Sequence, residues 1–109
     1  MSHELIYLAS PYTHEDPDVV EKRVFDTEAK FVELFNLGKF VFAPTLYCHA
    51  VSKTYALGGS YKTWRPFCLE MLRRCDKLYV LQLDGWDSSV GVLDEIRLAR
   101  ELHKIISYC

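Results

Sequence analysis

The chain has 109 residues, half of them apolar and 14% aromatic, with a formal net charge of −2. That suits one domain with a real hydrophobic core, too short for two and too apolar for intrinsic disorder. The near-balance of charge offers no face for nucleic acid or a membrane surface. No apolar run approaches the roughly 18 residues of a transmembrane helix, and the polar start MSHELIYLAS is unlike a signal peptide, so a cytoplasmic protein is expected.

ELIYLAS (4–10) is a short apolar run that stops at Ser-Pro and predicts a buried strand. Asp16-Pro17 follows as an N-cap with proline at the first helical position. The helix it opens carries Val20, Val24, Phe31 and Phe35 on one face and stops at Gly38. KFVFAPT (39–45) predicts a second strand closed by proline. Residues 46–60 read as a polar, glycine-containing loop with one helical turn. TWRPFCLEMLRRCD (63–76) predicts a helix with Pro66 in its first turn and Phe67, Met71 and Leu72 facing inward. KLYVLQL (77–83) is a third strand, a helix starts near Val90, and KIISY (104–108) is a fourth strand.

Alternating strands and helices predict an α/β fold, a three-layer Rossmann- or flavodoxin-like sandwich with a four- to five-stranded, mainly parallel sheet in a single domain over 1–109. In such sheets ligands sit beyond the carboxyl ends of the strands. Those ends here are Ser10-Pro11-Tyr12, Pro44-Thr45 and the stretch from Asp84 to Ser89.

One residue of the last helix breaks its own pattern. At about 100° per residue, Val92, Ile96, Leu98, Ala99 and Leu102 share one arc, with Asp94, Arg97, Arg100 and Glu101 opposite. Glu95 falls inside the apolar arc. A carboxylate facing a core costs several kcal/mol unless it is paired, hydrogen-bonded, protonated or open to a cleft. A structural acid bonded to its own helix's first-turn amides and a functional acid both satisfy that requirement.

The common signatures do not apply. GxGxxG, GxxxxGK[ST] and GxSxG are absent, and Ala9-Ser10 stand where a receiver domain has acids. Cys48, Cys68, Cys75 and Cys109 show no metal-finger spacing and read as reduced, small hydrophobes. The four histidines form no HExxH pair, so no metal and no cofactor is expected. The turn from Asp84 to Gly91 does place amides and hydroxyls at a helix N-terminus, where they suit a phosphate or carboxylate, or where Ser88 or Ser89 serves as a plain N-cap.

IYLASPY (6–12), the strand from Asp76 to Leu83, and above all S-x-G-x-x-x-E (89–95) resemble the nucleoside 2-deoxyribosyltransferase superfamily, which includes nucleotide N-glycosidases. The likeness spans nearly the whole chain and is closest to small members with a YLASPY start, a histidine after the second strand and a GW-x-x-S-x-G turn. It implies that Glu95 is a nucleophile attacking the anomeric carbon of the sugar, forming a glycosyl-enzyme ester that another base or water resolves. It also implies that Tyr7 orients Glu95 through a hydrogen bond, and that Ser10, Pro11 and Tyr12 line the sugar or phosphate side. Ser89 would contact a 5′-phosphate, Gly85 and Trp86 would flank a stacked base, and His49 would donate to a phosphate or a leaving base. Members of the superfamily assemble as homodimers or larger homo-oligomers, and Phe40, Phe42, Tyr55 and Tyr61 would suit such an interface or the core.

The chain departs from the pattern at Cys68, where the family has an aspartate that helps protonate the leaving base. Glu70 lies on the opposite side of that helix and Asp87 is not securely placed, which leaves protonation to His49, to a neighbouring chain, or to no group. Three readings follow: an enzyme acting on the N-glycosidic bond of a nucleoside or nucleoside monophosphate, a non-catalytic nucleotide-binding module, and an interaction protein whose Glu95 only caps or pairs.

Overall fold

A computed structural model describes residues 3–55, 57 and 60–109. Four parallel strands, β1 (Leu5–Ala9), β2 (Phe40–Phe42), β3 (Lys77–Val80) and β4 (Ile105–Tyr108), form one sheet in the order β2-β1-β3-β4. With helices α1 (Pro17–Asn36), α2 (Pro44–Tyr55), α3 (Tyr61–Arg74) and α4 (Val90–Glu101), the molecule is the expected three-layer α/β sandwich, with the flavodoxin-like strand order. The chain leaves β1 towards β2 on one side and β3 towards β4 on the other. The switch point therefore lies between the carboxyl ends of β1 and β3, where a crevice opens.

The sheet's two faces bury different clusters. Tyr7 and Ala9 of β1, with Leu78 and Val80 of β3, pack against Cys68, Leu69 and Leu72 of α3 and Val92, Ile96 and Ala99 of α4. Leu8, Ala43 and Leu81 form a smaller cluster on the other face, with Phe31 of α1 against it. Residues 6–9 are buried without interruption because β1 is central and covered on both faces.

Helix α1 begins as its sequence predicts: the Asp16 side chain accepts from the Asp18 amide and Pro17 takes the first turn. It ends where Gly38, at φ +80°, lets the Lys39 amide return to the Leu34 carbonyl. Its buried residues are Val24, Thr27 and Leu34, whereas Phe35 is exposed. Thr27 reaches the core because its hydroxyl is satisfied by the Arg23 carbonyl, 2.7 Å away.

Two elements differ from expectation. Residues 44–55 are a helix rather than a loop, although part of the expected loop, Ala56, Gly58 and Gly59, lies outside the described residues. Pro44 both closes β2 and opens α2, and only the first turns of that helix are buried, at Pro44, Thr45 and Cys48, which leaves little apolar periodicity to read. Helix α3 starts at Tyr61, so Pro66 sits inside it rather than in its first turn. Its inner face is Cys68, Leu69 and Leu72; Phe67 turns outward and stacks on Tyr47, and Met71 is half-buried.

Leu72 is fully buried between α3 and the sheet. Leu72→Ala is expected to lower unfolding free energy by roughly 2–5 kcal/mol, read as a lower urea midpoint at unchanged slope.

Candidate functional site

A cavity of about 340 Å³ opens at the switch point. Ser10, Tyr12 and Thr13 after β1 form one wall, Thr45 and Cys48 of α2 a second, and Tyr61, Trp64 and Cys68 of α3 a third. Ser88, Ser89, Val90, Gly91 and Glu95 close it from the start of α4. Glu95 is the only carboxylate in these walls among the described residues.

Glu95 is buried, and it is bonded not to its own helix's amides but across to the sheet, where the Tyr7 phenol donates to Oε2. The expected pairing is present. Burial pushes the Glu95 carboxyl up to about 8, the Tyr7 hydrogen bond opposes that shift, and the charges of Cys68 and Asp94 add to it. The Tyr7 hydroxyl is raised well above its ordinary value by burial and by the adjacent Glu95. The pair thus shares a poorly solvated pocket in which the neutral carboxyl is the resting form at neutral pH.

The surroundings hold this geometry. Ser89 caps α4 by accepting from the Val92 amide at 3.3 Å, and Ser88 bonds the Gly85 carbonyl at 3.2 Å. A Cβ on Gly91 would meet the Tyr61 ring at 3.0 Å, so the glycine of S-x-G lets Tyr61 lie on the first turn of α4. The Tyr61 hydroxyl donates to Asp94 at 2.9 Å, and Arg65 and Arg97 each reach the same carboxylate at 2.7 Å. Burial alone would raise the Asp94 carboxyl, but these three donors hold it at about 2. On the opposite lip, Ser10 Oγ bonds Thr45 Oγ1 at 3.0 Å, and Arg23 spans the mouth to the carbonyls of Thr13 and Asp84, 3.0 Å each.

The other expected site residues are more scattered. Ser10, Tyr12 and Ser89 line the cavity, whereas Pro11 is fully buried beside it and shapes the turn. Gly85 and Trp86 lie outside the walls. Gly85, at φ +87°, holds a backbone conformation that other residues rarely adopt, and Trp86 is half-buried and packs on Tyr108 with ring centroids 5.6 Å apart. His49 stands behind Tyr12 rather than in the wall: its Nδ1 is 2.7 Å from the Tyr12 hydroxyl and its Nε2 is 3.1 Å from Glu21. Cys68 does sit beside Glu95, while Glu70 pairs with Arg74 at the surface and Asp87 is exposed.

Sequence reasoning placed Thr45 at a ligand-side strand end but missed Cys48, Tyr61 and Trp64 as cavity walls, because residues 46–60 read as loop and the next helix was expected to start at residue 63 with Phe67, Met71 and Leu72 as its inner face. The available signal was the two-sided role of Pro44. Trp64 donates to Ser52 Oγ at 3.1 Å, tying α3 to α2 across the cavity's far side. Among the described residues no group of three or more His, Cys, Asp or Glu is placed to hold a metal ion, and no helix is long and apolar enough to cross a membrane.

The raised Glu95 carboxyl has a thermodynamic sign. Between the ordinary glutamate value and about 8 the folded state holds a proton that the unfolded state has released, so stability falls as pH rises through that window. Glu95→Gln, which stays neutral and can still accept from Tyr7, is expected to stabilise the protein more at pH 8.5 than at pH 5 in urea titrations. An equal effect at both pH values would show that the carboxyl ionises normally.

No curated protein matches the chain. A family model described as "Domain of unknown function (DUF1937)" matches residues 4–108, and the chain belongs to that family.

Proposed function

We propose that the protein cleaves or exchanges the N-glycosidic bond of a nucleoside or, preferentially, a nucleoside 5′-monophosphate, with Glu95 as the nucleophile. The observation that carries this reading is a buried carboxyl, held by Tyr7, facing a cavity of about 340 Å³ at the sheet's switch point. Among the described residues the carboxyl's hydrogen-bond partner is one phenol, and its burial costs stability, an arrangement that suits covalent chemistry at a sugar carbon.

One Glu95 oxygen stays bonded to Tyr7 while the other attacks C1′. The C1′–N bond breaks with its electron pair going to the base, and a glycosyl ester remains. Water or a second base then displaces Glu95, and two displacements retain the anomeric configuration. The attacking form is the ionised carboxylate, which burial makes the less favoured form and which gains as pH rises. The α4 N-terminus with Ser88 and Ser89 suits the 5′-phosphate, and Tyr61 and Trp64 offer aromatic surface to the base. The free thiols of all four cysteines suit the reducing cytoplasm, where we place the protein.

A second reading, a nucleotide-binding module on the same fold, is favoured by Cys68 in place of an acid and by the neutral resting state of Glu95. Proton NMR of the protein with deoxynucleosides, ribonucleosides and their 5′-monophosphates, with and without an acceptor base, separates the two. Base release or exchange that Glu95→Gln lowers by at least about 10³-fold is expected. Intact substrates whose lines still broaden with the protein would replace the enzyme by the binder.

We also propose a homodimer or homotetramer. What supports this is the resemblance, with Phe40 and Tyr55, 52% and 72% exposed, as rings that a second copy would cover. Solution scattering is expected to give twice or four times the 12.7 kDa chain mass, and a monomer mass would remove the assembly.

A further inference from the structure

The reaction proposed above needs a proton for the departing base, and Cys68 occupies the place where an acid would be looked for. The structure offers another route on the opposite wall. Glu21 of α1, His49 of α2 and Tyr12 of the β1–α1 loop form one hydrogen-bonded chain, with Glu21 Oε1 3.1 Å from His49 Nε2 and His49 Nδ1 2.7 Å from the Tyr12 hydroxyl. Only its last member, Tyr12, lines the cavity that holds Glu95. We infer that Tyr12 is the catalytic acid for the leaving base, with His49 and Glu21 as the positioning residues that supply its proton. The inference rests on the glycosidic reading of Glu95.

The geometry fixes the roles. Glu21 is acceptor-only, so Nε2 carries a hydrogen towards it. When His49 is also protonated at Nδ1, that N–H donates to the Tyr12 oxygen, and the tyrosine O–H is turned away from the imidazole and is free for the ligand. When Nδ1 is bare, Tyr12 donates to it instead, and its oxygen is free to accept. Through Tyr12, the one member that lines the cavity, the chain therefore offers a donor in one state and an acceptor in the other.

Each state serves one half of the reaction. In the first, Glu95 bonds to C1′, the C1′–N electron pair passes to the base, and the base takes the Tyr12 proton. Tyr12 is reprotonated from His49 Nδ1, which leaves the imidazole neutral. In the second, water attacks C1′ and the ester electron pair returns to Glu95. The water proton goes to Tyr12 as the Tyr12 proton returns to His49, and the starting state is restored. The other groups near this chain are Lys53, 3.9 Å from the Glu21 carboxylate, and the buried Cys48 thiol beside Tyr12. A tyrosine with nothing behind it is a poor acid at neutral pH. Burial, the Glu21 carboxylate and Cys48 raise the Tyr12 hydroxyl above its ordinary value, so it gives up its proton only as another is delivered from His49 Nδ1.

The test compares two leaving groups: the nucleoside 5′-monophosphate turned over by the wild type in the NMR panel, and a 4-nitrophenyl riboside or 2-deoxyriboside 5-phosphate, whose nitrophenolate departs without a proton. Tyr12→Phe is expected to lose about 10²–10³-fold in kcat on the nucleotide and less than about tenfold on the aryl phosphate. His49→Gln and Glu21→Gln should show the same divergence in smaller measure. Retained aryl activity also shows that each variant is folded. Equal losses on both substrates, or no loss on either, would overturn the relay while leaving the glycosidic reading intact. Glu95→Gln separates the two claims: it should abolish turnover of both substrates, and failure to do so, or a wild type that turns over neither, would overturn the reading and the relay together.

Discussion

The hydrogen bond between Tyr7 and Glu95 joins the central strand to the last helix, and much of the surrounding structure is arranged so that it can exist. Tyr7 is fully buried, so its phenol needs an acceptor, and Glu95 is buried, so its carboxyl needs a donor. Each answers the requirement of the other. Removing Glu95 would strand the Tyr7 phenol in a cluster with Val80, Val92 and Ile96. The carboxyl nonetheless stays costly to ionise, because one phenol does not compensate for the burial.

That local tension depends on a rigid frame. The start of α4 is fixed from three directions: by the Ser89 cap, by the Tyr61 ring on Gly91, and by the three donors gathered on Asp94. Asp94 and Glu95 are neighbours in sequence with opposite fates. The first faces two arginines and stays ionised; the second faces the core and holds its proton. Adjacent carboxyls driven in opposite directions by their surroundings are what a site gains from placing acids at the edge of a buried helix face. Across the mouth, Arg23 ties the loops after β1 and β3, so the two lips of the crevice keep their spacing.

The cavity has two chemically distinct sides. The Glu95 side is buried against the apolar cluster of the sheet, α3 and α4. The Tyr12 side reaches the surface through His49, Glu21 and Lys53. A reaction that forms a covalent bond on one side and moves a proton on the other would use this division directly, since the low polarity that sharpens the carboxylate would hinder proton exchange with solvent.

Much of this was legible in the chain. Short apolar runs ended by Ser-Pro or proline gave the strands, Asp16-Pro17 and Gly38 bounded α1, and the misplaced Glu95 marked the site, all because local sterics and helical periodicity act over a few residues. Helix α2 was not legible, since its burial is confined to Pro44, Thr45 and Cys48 and the rest of its face is polar. Trp86 is expected from the resemblance to flank a stacked base, but no pattern pairs it with Tyr108, 22 positions on in sequence, on which it packs. The Glu21–His49–Tyr12 chain is drawn from α1, α2 and a loop, so no spacing announces it. By itself the sequence determined which residues must be buried and which one could not be buried cheaply. Only the tertiary structure decided what stands opposite each of them, because hydrogen-bond partners and cavity walls come from segments brought together across the sheet, and a linear pattern carries no record of that distance.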